Sequence, residues 1–145
     1  MKGRKAEDRG QTTEDRGQRT EGGGRGEGQR SRVKGEGSKR LVEFHRFLNE
    51  ENALRVQFEL DHGKVFKFVV QLECRFSGVD IFTPVVRYDT ARGFAHCDQI
   101  HPYGKSSKIT MATQDYNEAL TFAMDDLAKS WRAYRRRFEG WLRKK

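Results

Sequence analysis

The sequence predicts an α+β domain: an antiparallel β-meander of four to five strands packed by one long C-terminal helix. Three observations carry this expectation. The last part of the chain has a single apolar stripe at helical steps. The middle has runs of alternating apolar residues separated by short polar turns. The first part has almost no apolar side chain, so the packed body is confined to the rest of the chain.

Residues 1 to 40 are expected to be a disordered, low-complexity tail, and residues 41 to 145 a single domain. Ten of the fifteen glycines fall in the tail, and between Met1 and Val33 only Ala6 is even weakly apolar. Burial there cannot offset the entropy of ordering. The tail repeats with a period of seven: Glu7, Asp8, Arg9, Gly10 and Gln11 recur as Glu14, Asp15, Arg16, Gly17 and Gln18. No position of this repeat is apolar, so it is not a coiled-coil heptad. A seven-nucleotide DNA repeat, GAGGACA, read through successive codons gives Glu-Asp-Arg-Gly-Gln-Arg-Thr, which residues 14 to 20 match in full. The tail therefore reads as translated repeat DNA, with Val33 a candidate initiator. A basic arm that touches nucleic acid is the competing reading.

Within the body, "LVEFHRFLNEEN" spaces Leu41, Phe44 and Leu48 as a short helix would. "RVQFEL" alternates Val56, Phe58 and Leu60, and "DHG" turns the chain at Gly63. "KVFKFVVQLECRF" then sets Phe66, Phe68, Val70, Leu72, Cys74 and Phe76 on one face. A three-residue loop would pair Phe58 with Phe66 and Val56 with Phe68. "IFTPVVRYD" is a third strand, in which Pro84 marks an edge or a bulge. "FAHCDQIH" is a fourth, and Lys108 to Met111 a short fifth. The closing helix opens on Asp115 with Glu118, a capping-box pattern. Its stripe is Tyr116, Leu120, Ala123, Leu127, Trp131, Tyr134, Phe138 and Trp141.

Charge separates the regions. Residues 1 to 40 carry 12 basic and 7 acidic residues, a net of +5. Residues 129 to 145 carry eight basic residues against Glu139, and residues 41 to 128 have a net charge of −4. A mildly acidic body thus lies between two basic ends, which fit nucleic acid, a membrane surface or an acidic partner. Cys74 and Cys97 stand far apart in strand-like, apolar surroundings and read as core thiols rather than ligands or a disulfide. No stretch is apolar enough to span a membrane, and no apolar segment comes after the charged start. A cytoplasmic protein is expected.

The stretch "VVRYDTARGFAHCD" concentrates chemistry around one turn. A hairpin with an even loop pairs Arg87 with His96, Asp89 with Phe94 and Val85 with Asp98. Arg87, Asp89, His96 and Asp98 then share one face, and Val86, Tyr88, Ala95 and Cys97 the other. These four are the candidate catalytic residues. An imidazole near a carboxylate can exchange protons near neutral pH, and an arginine can hold a phosphate. This inventory suits metal-independent cleavage of a phosphodiester, with Lys105 or Lys108 approaching. No cofactor and no metal are expected. A metal set of His96, Asp98 and His101 is weighed and set aside, because His101 has the opposite strand parity. The structural alternative makes Arg87 and Asp98 a surface ion pair and Tyr88 a core residue with a backbone partner. His45 and His62 read as ordinary surface residues.

On the closing helix, Arg132, Arg136 and Arg143 form a solvent-facing row, a candidate nucleic-acid surface, while the aromatics between them are buried. Solvation near the helix C-terminus is the alternative role for these cations.

The "VVRYDTARGFAH-D", "HPYGK" and "EALTFAMDDL" stretches resemble a prokaryotic domain family of unknown function. The chain is also similar to TumE-type toxins of toxin–antitoxin pairs at Arg87, Tyr88, Asp89 and His96, and departs from them at Cys97-Asp98. The resemblance implies an RNA-directed, toxin-like protein, with RNA and a cognate antitoxin-like protein as partners. A non-catalytic interaction or nucleic-acid-binding module is the rival. From composition, removing residues 1 to 32 is expected to leave the melting temperature unchanged, which differential scanning calorimetry of the shortened chain checks.

Overall fold

The computed structural model describes residues 30–144. Seven strands and one helix occur in chain order. They are β1 (Arg30–Glu36), β2 (Lys39–Asn49), β3 (Asn52–Asp61), β4 (Lys64–Cys74), β5 (Thr83–Asp89), β6 (His96–Gln99), β7 (Ser107–Thr110) and α1 (Tyr116–Arg143). Each strand pairs antiparallel with the next, so the sheet order is β1 to β7 without a crossover. The class is the expected α+β meander under a C-terminal helix, with seven strands in place of four to five.

The two additional strands replace a tail segment and a helix. Residues 41 to 49 belong to β2, not to a helix. Val42 and Phe44 face Phe58 and Val56 of β3, so the period of two prevails over the Leu41, Phe44, Leu48 spacing. A single-turn or two-turn helix is marginal alone, whereas a strand here gains a full ladder. Residues 30 to 36 form β1, and β2 begins at Lys39, inside the segment expected to be disordered. Backbone pairing requires no apolar side chain, and Gly37, at φ 64°, makes the turn. The other residues of that tail, 1 to 29, lie outside the described residues. A cut after residue 32 removes Arg30, Ser31 and Arg32 from β1.

The β3–β4 hairpin turns on two residues rather than three. His62 and Gly63 both have positive φ, 53° and 79°, as a type I′ turn requires. That turn and a bulge beyond Glu59 together set Phe58 opposite Phe68 and Val56 opposite Val70, two residues from the expected register but with the same faces. The bulge leaves Phe66 without a partner and turns Val65 toward the core instead. Phe66 is exposed, contrary to its place in the expected stripe. A second bulge, between Leu72 and Glu73, adds Val85 next to Pro84, in line with the proline's place in the sequence.

One face of the sheet is apolar. Leu54, Val56, Phe68, Val70, Leu72, Cys74, Val86, Tyr88 and Cys97 pack against Ala119, Leu120, Ala123, Leu127, Trp131 and Phe138 of α1. Phe76 stacks on Phe138 with ring centres 5.3 Å apart. Tyr116, Tyr134 and Trp141 are partly buried at the margins, so the stripe keeps its expected phase. Asp115 caps α1 by accepting from the backbone N–H groups of Asn117 and Glu118. Glu118 does not return the bond: its carboxylate accepts from the Thr113 hydroxyl. Arg135 ties the helix to the sheet by donating to the Asn52 side chain at 2.7 Å and the Arg75 carbonyl at 3.1 Å.

Trp131→Ala removes a buried indole from this interface and is expected to cost about 3–5 kcal/mol. Arg132→Ala, on the exposed neighbour, should cost about 0.5 kcal/mol or less. Urea unfolding of both variants checks the helical phase.

Candidate functional site

The face of the sheet away from α1 is polar. Direct cross-strand neighbours run Arg55, Gln71, Arg87, Asp98 and Lys108 from β3 to β7. The next row places Asp89 opposite His96. Arg87, Asp89, His96 and Asp98 therefore share one face, as the parity of the hairpin requires. Their register differs from the expected one by two residues: Arg87 faces Asp98 rather than His96, and Asp89 faces His96 rather than Phe94.

His96 is the most enclosed of the four, with 1% of its surface exposed. Its Nδ1 lies 3.2 Å from the Phe94 carbonyl. A carbonyl only accepts, so the contact is a hydrogen bond in the tautomer with its hydrogen on Nδ1, and in that tautomer a neutral ring offers Nε2 as a lone pair. Nε2 lies 2.8 Å from Asp89 Oδ1 and 3.7 Å from Asp98 Oδ2. Asp89 Oδ1 also accepts from the Ala91 N–H at 3.2 Å. Lys108 Nζ donates to Asp98 Oδ1 at 2.6 Å. Phe94 lies tilted against the imidazole, ring centres 5.4 Å apart. Asp98, partly open to solvent, is thus the way in to His96, while Asp89 is buried.

Arg87 does not form the surface ion pair with Asp98 that its position allows. Its Nε donates to Gln71 Oε1 at 2.7 Å, and Gln71 Nε2 donates to Glu73 Oε2 at 2.6 Å. Arg87 makes no other hydrogen bond or ion pair among the described residues. Its two terminal nitrogens remain available to an anion. Lys108 joins the cluster as one of the two lysines expected to approach. Gln71 and Glu73 are additions that the sequence alone does not single out. The cross-strand row yields Gln71 once the β4–β5 register is known, and Glu73 lies two residues further along β4.

Other candidates lie elsewhere. His101 stacks on Trp141 with ring centres 4.4 Å apart and accepts the Tyr103 N–H, away from His96. The set of His96, Asp98 and His101 is therefore not assembled. Arg132, Arg136 and Arg143 are exposed on α1, with the Arg132 guanidinium 4.5 Å above the Trp131 ring. They face away from the sheet, and so from the four candidate catalytic residues. A depression of about 440 Å³ lies between Gly93–Ala95, residues 110–114 and Tyr116. It adjoins the cluster through Thr110, which pairs with His96, yet none of the four residues lines it.

Residues 35–144 match a family described as a domain of unknown function, DUF7718. The chain belongs to this family. The DUF7718 match extends from the end of β1 to the end of α1 and includes every candidate residue named above. No curated protein and no solved structure matches the chain.

On the helix side of the same hairpin, Tyr88 donates not to a backbone group but to Asp126 Oδ2 at 2.8 Å. Tyr134 donates to the same oxygen at 2.7 Å. Burial, reinforced by the bond to Asp126, raises both phenols well above their ordinary range. Burial likewise pushes the Cys97 thiol up to about 11 and the Cys74 thiol up to about 12, from 9.0. A thiol whose folded value is raised adds stability below its ordinary value, and that stability is lost as pH climbs through the folded value. Unfolding free energy should therefore fall as pH rises from 9.0 toward about 11 to 12, which urea titrations at stepped pH would detect. At pH 8 neither native thiol should react with a disulfide reagent, while both should react in denaturant.

Proposed function

We propose that this protein is RNA-directed and toxin-like, acting on a phosphodiester through the polar face of its sheet. The observation that carries the reading is Arg87: it keeps two guanidinium nitrogens without a partner among the described residues and stands on β5 directly opposite Asp98, two residues before Asp89. The similarity to TumE-type toxins at Arg87, Asp89 and His96 supports it. Tyr88, the fourth matching residue, is committed to Asp126 on the other face and has no part in the reaction.

In this reading Arg87 holds a non-bridging phosphate oxygen by a charge-assisted bond. Asp98, more open than His96, takes the proton of the ribose 2′-hydroxyl as that oxygen attacks phosphorus. The P–O5′ bond breaks to leave a 2′,3′-cyclic phosphate, and the departing 5′-oxygen takes a proton from solvent. His96 stands behind the two carboxylates, 2.8 Å from Asp89 and 3.7 Å from Asp98, and holds them in place. Lys108 sits on the outer oxygen of Asp98 and adds positive charge where the phosphate would lie. The protein would act in the cytoplasm, with a cognate antitoxin-like protein as its partner.

Wild type, Arg87→Ala and His96→Ala expressed in a bacterial host should separate clearly. Wild type should arrest growth and degrade RNA, and each variant should lose about 100-fold or more of the cleavage rate with its circular dichroism unchanged. Arg132→Ala should behave as wild type. Harmless wild-type protein with intact RNA removes this reading, and unfolding of both variants would assign the cluster to stability.

A further inference from the structure

We propose that Asp89, His96 and Asp98 form a binding site for one divalent first-row transition cation of the Mn²⁺ or Zn²⁺ class. The proposal concerns binding and stands independently of any action on RNA. One ligand atom from each of the three residues lies within 4.8 Å of the other two. All three come from β5 and β6, whose pairing holds them without a loop having to move.

The decisive feature is the direction of the electron pairs. When His96 Nδ1 donates to the Phe94 carbonyl, 3.2 Å away, the lone pair of a neutral ring sits on Nε2. Nε2 is enclosed and aimed at two carboxylates, which in ionised form also offer only lone pairs. Three acceptors converging around an enclosed nitrogen repel one another unless a positive species lies between them. A proton or a metal cation would do this.

The surroundings favour the cation. A backbone carbonyl on the far nitrogen of an imidazole is the arrangement that orients histidine ligands and raises their basicity. Each carboxylate is also held from outside the set, Asp89 by the Ala91 N–H and Asp98 by Lys108. Lys108 occupies Oδ1 of Asp98 and leaves Oδ2, the oxygen nearer His96, for the ion. One imidazole nitrogen with two carboxylate oxygens suits Mn²⁺ or Zn²⁺. Mg²⁺ and Ca²⁺ prefer oxygen throughout, and no thiolate is present to select softer ions. Solvent at the open side of Asp98 supplies the remaining positions.

The test is titration of the chelator-treated full chain with MnCl₂, ZnCl₂ and MgCl₂, followed by calorimetry and by the Mn²⁺ electron paramagnetic resonance signal. One equivalent of Mn²⁺ or Zn²⁺ should bind, and Mg²⁺ should bind more weakly. His96→Gln and Asp98→Asn should each weaken binding by about tenfold or more. Should His96→Gln fail to fold, Asp98→Asn, an isosteric change at a partly exposed carboxylate, decides alone. Wild type that takes up neither ion at neutral pH would mean that the shared species is a proton, and the proposal fails. Binding that is unchanged in folded Asp98→Asn places the ion elsewhere, and the proposal fails equally. Ion uptake by a protein that leaves RNA intact would overturn the RNA reading and leave this site standing.

Discussion

The register of β5 on β6 is the constraint on which the rest of the molecule depends. Because side chains alternate along a strand, one pairing decides at once what faces α1 and what faces away. Tyr88 opposite Cys97 delivers a phenol and a thiol to the core. Asp89 opposite His96, and Arg87 opposite Asp98, deliver the polar cluster to the other side. A one-residue slip of β6 against β5 would turn His96 and Asp98 under an apolar helix and separate them from Arg87 and Asp89. The cost of unpaired buried charge makes that alternative inaccessible. The apolar stripe of α1 thus protects the register of the strands that carry the candidate site.

Both faces of the hairpin hold an enclosed carboxylate system, and the two are satisfied differently. On the helix side, Asp126 accepts from two phenols, so its oxygen has donors to spare. On the open side, Asp89 and Asp98 meet Nε2 of one imidazole at 2.8 and 3.7 Å, while its Nδ1 faces the Phe94 carbonyl. The first arrangement is a closed network that fixes the helix on the sheet. The second lacks a donor at its centre unless a proton or cation is added. That difference separates a structural polar cluster from one with chemistry to offer.

What the sequence makes legible depends on what each signal measures. The phase of α1 is legible because Leu120, Ala123, Leu127, Trp131 and Phe138 lie on one side of a long helix, where the period leaves little ambiguity. The shared face of Arg87, Asp89, His96 and Asp98 is legible because parity survives an error of two residues. The partners within that face are not, since the loop from Thr90 to Phe94 carries no turn dipeptide that fixes its length. Nor are the bulges at Phe66 and Val85, which depend on how neighbouring strands match over distance. The β1–β2 hairpin escapes for another reason. Its outer strand contributes backbone bonds with little burial, and apolar periodicity does not register such a strand.

The arginine row and the polar cluster belong to opposite sides of a two-layer molecule. Arg132, Arg136 and Arg143 lie on the outer side of α1, and Arg87 and Lys108 lie on the face of the sheet that α1 leaves open. The sheet and the helix stand between them. In the proposed reading, a short single strand of RNA at Arg87 would have no path to the arginine row without rounding an edge of the sheet. Phosphate contacts at the row would raise affinity for any nucleic acid and steepen its salt dependence. Contacts at Arg87 would bear on the one bond near Asp98 and His96. The helix row thus has no direct part in the chemistry of the hairpin, and the case for a reaction site rests on the polar face alone.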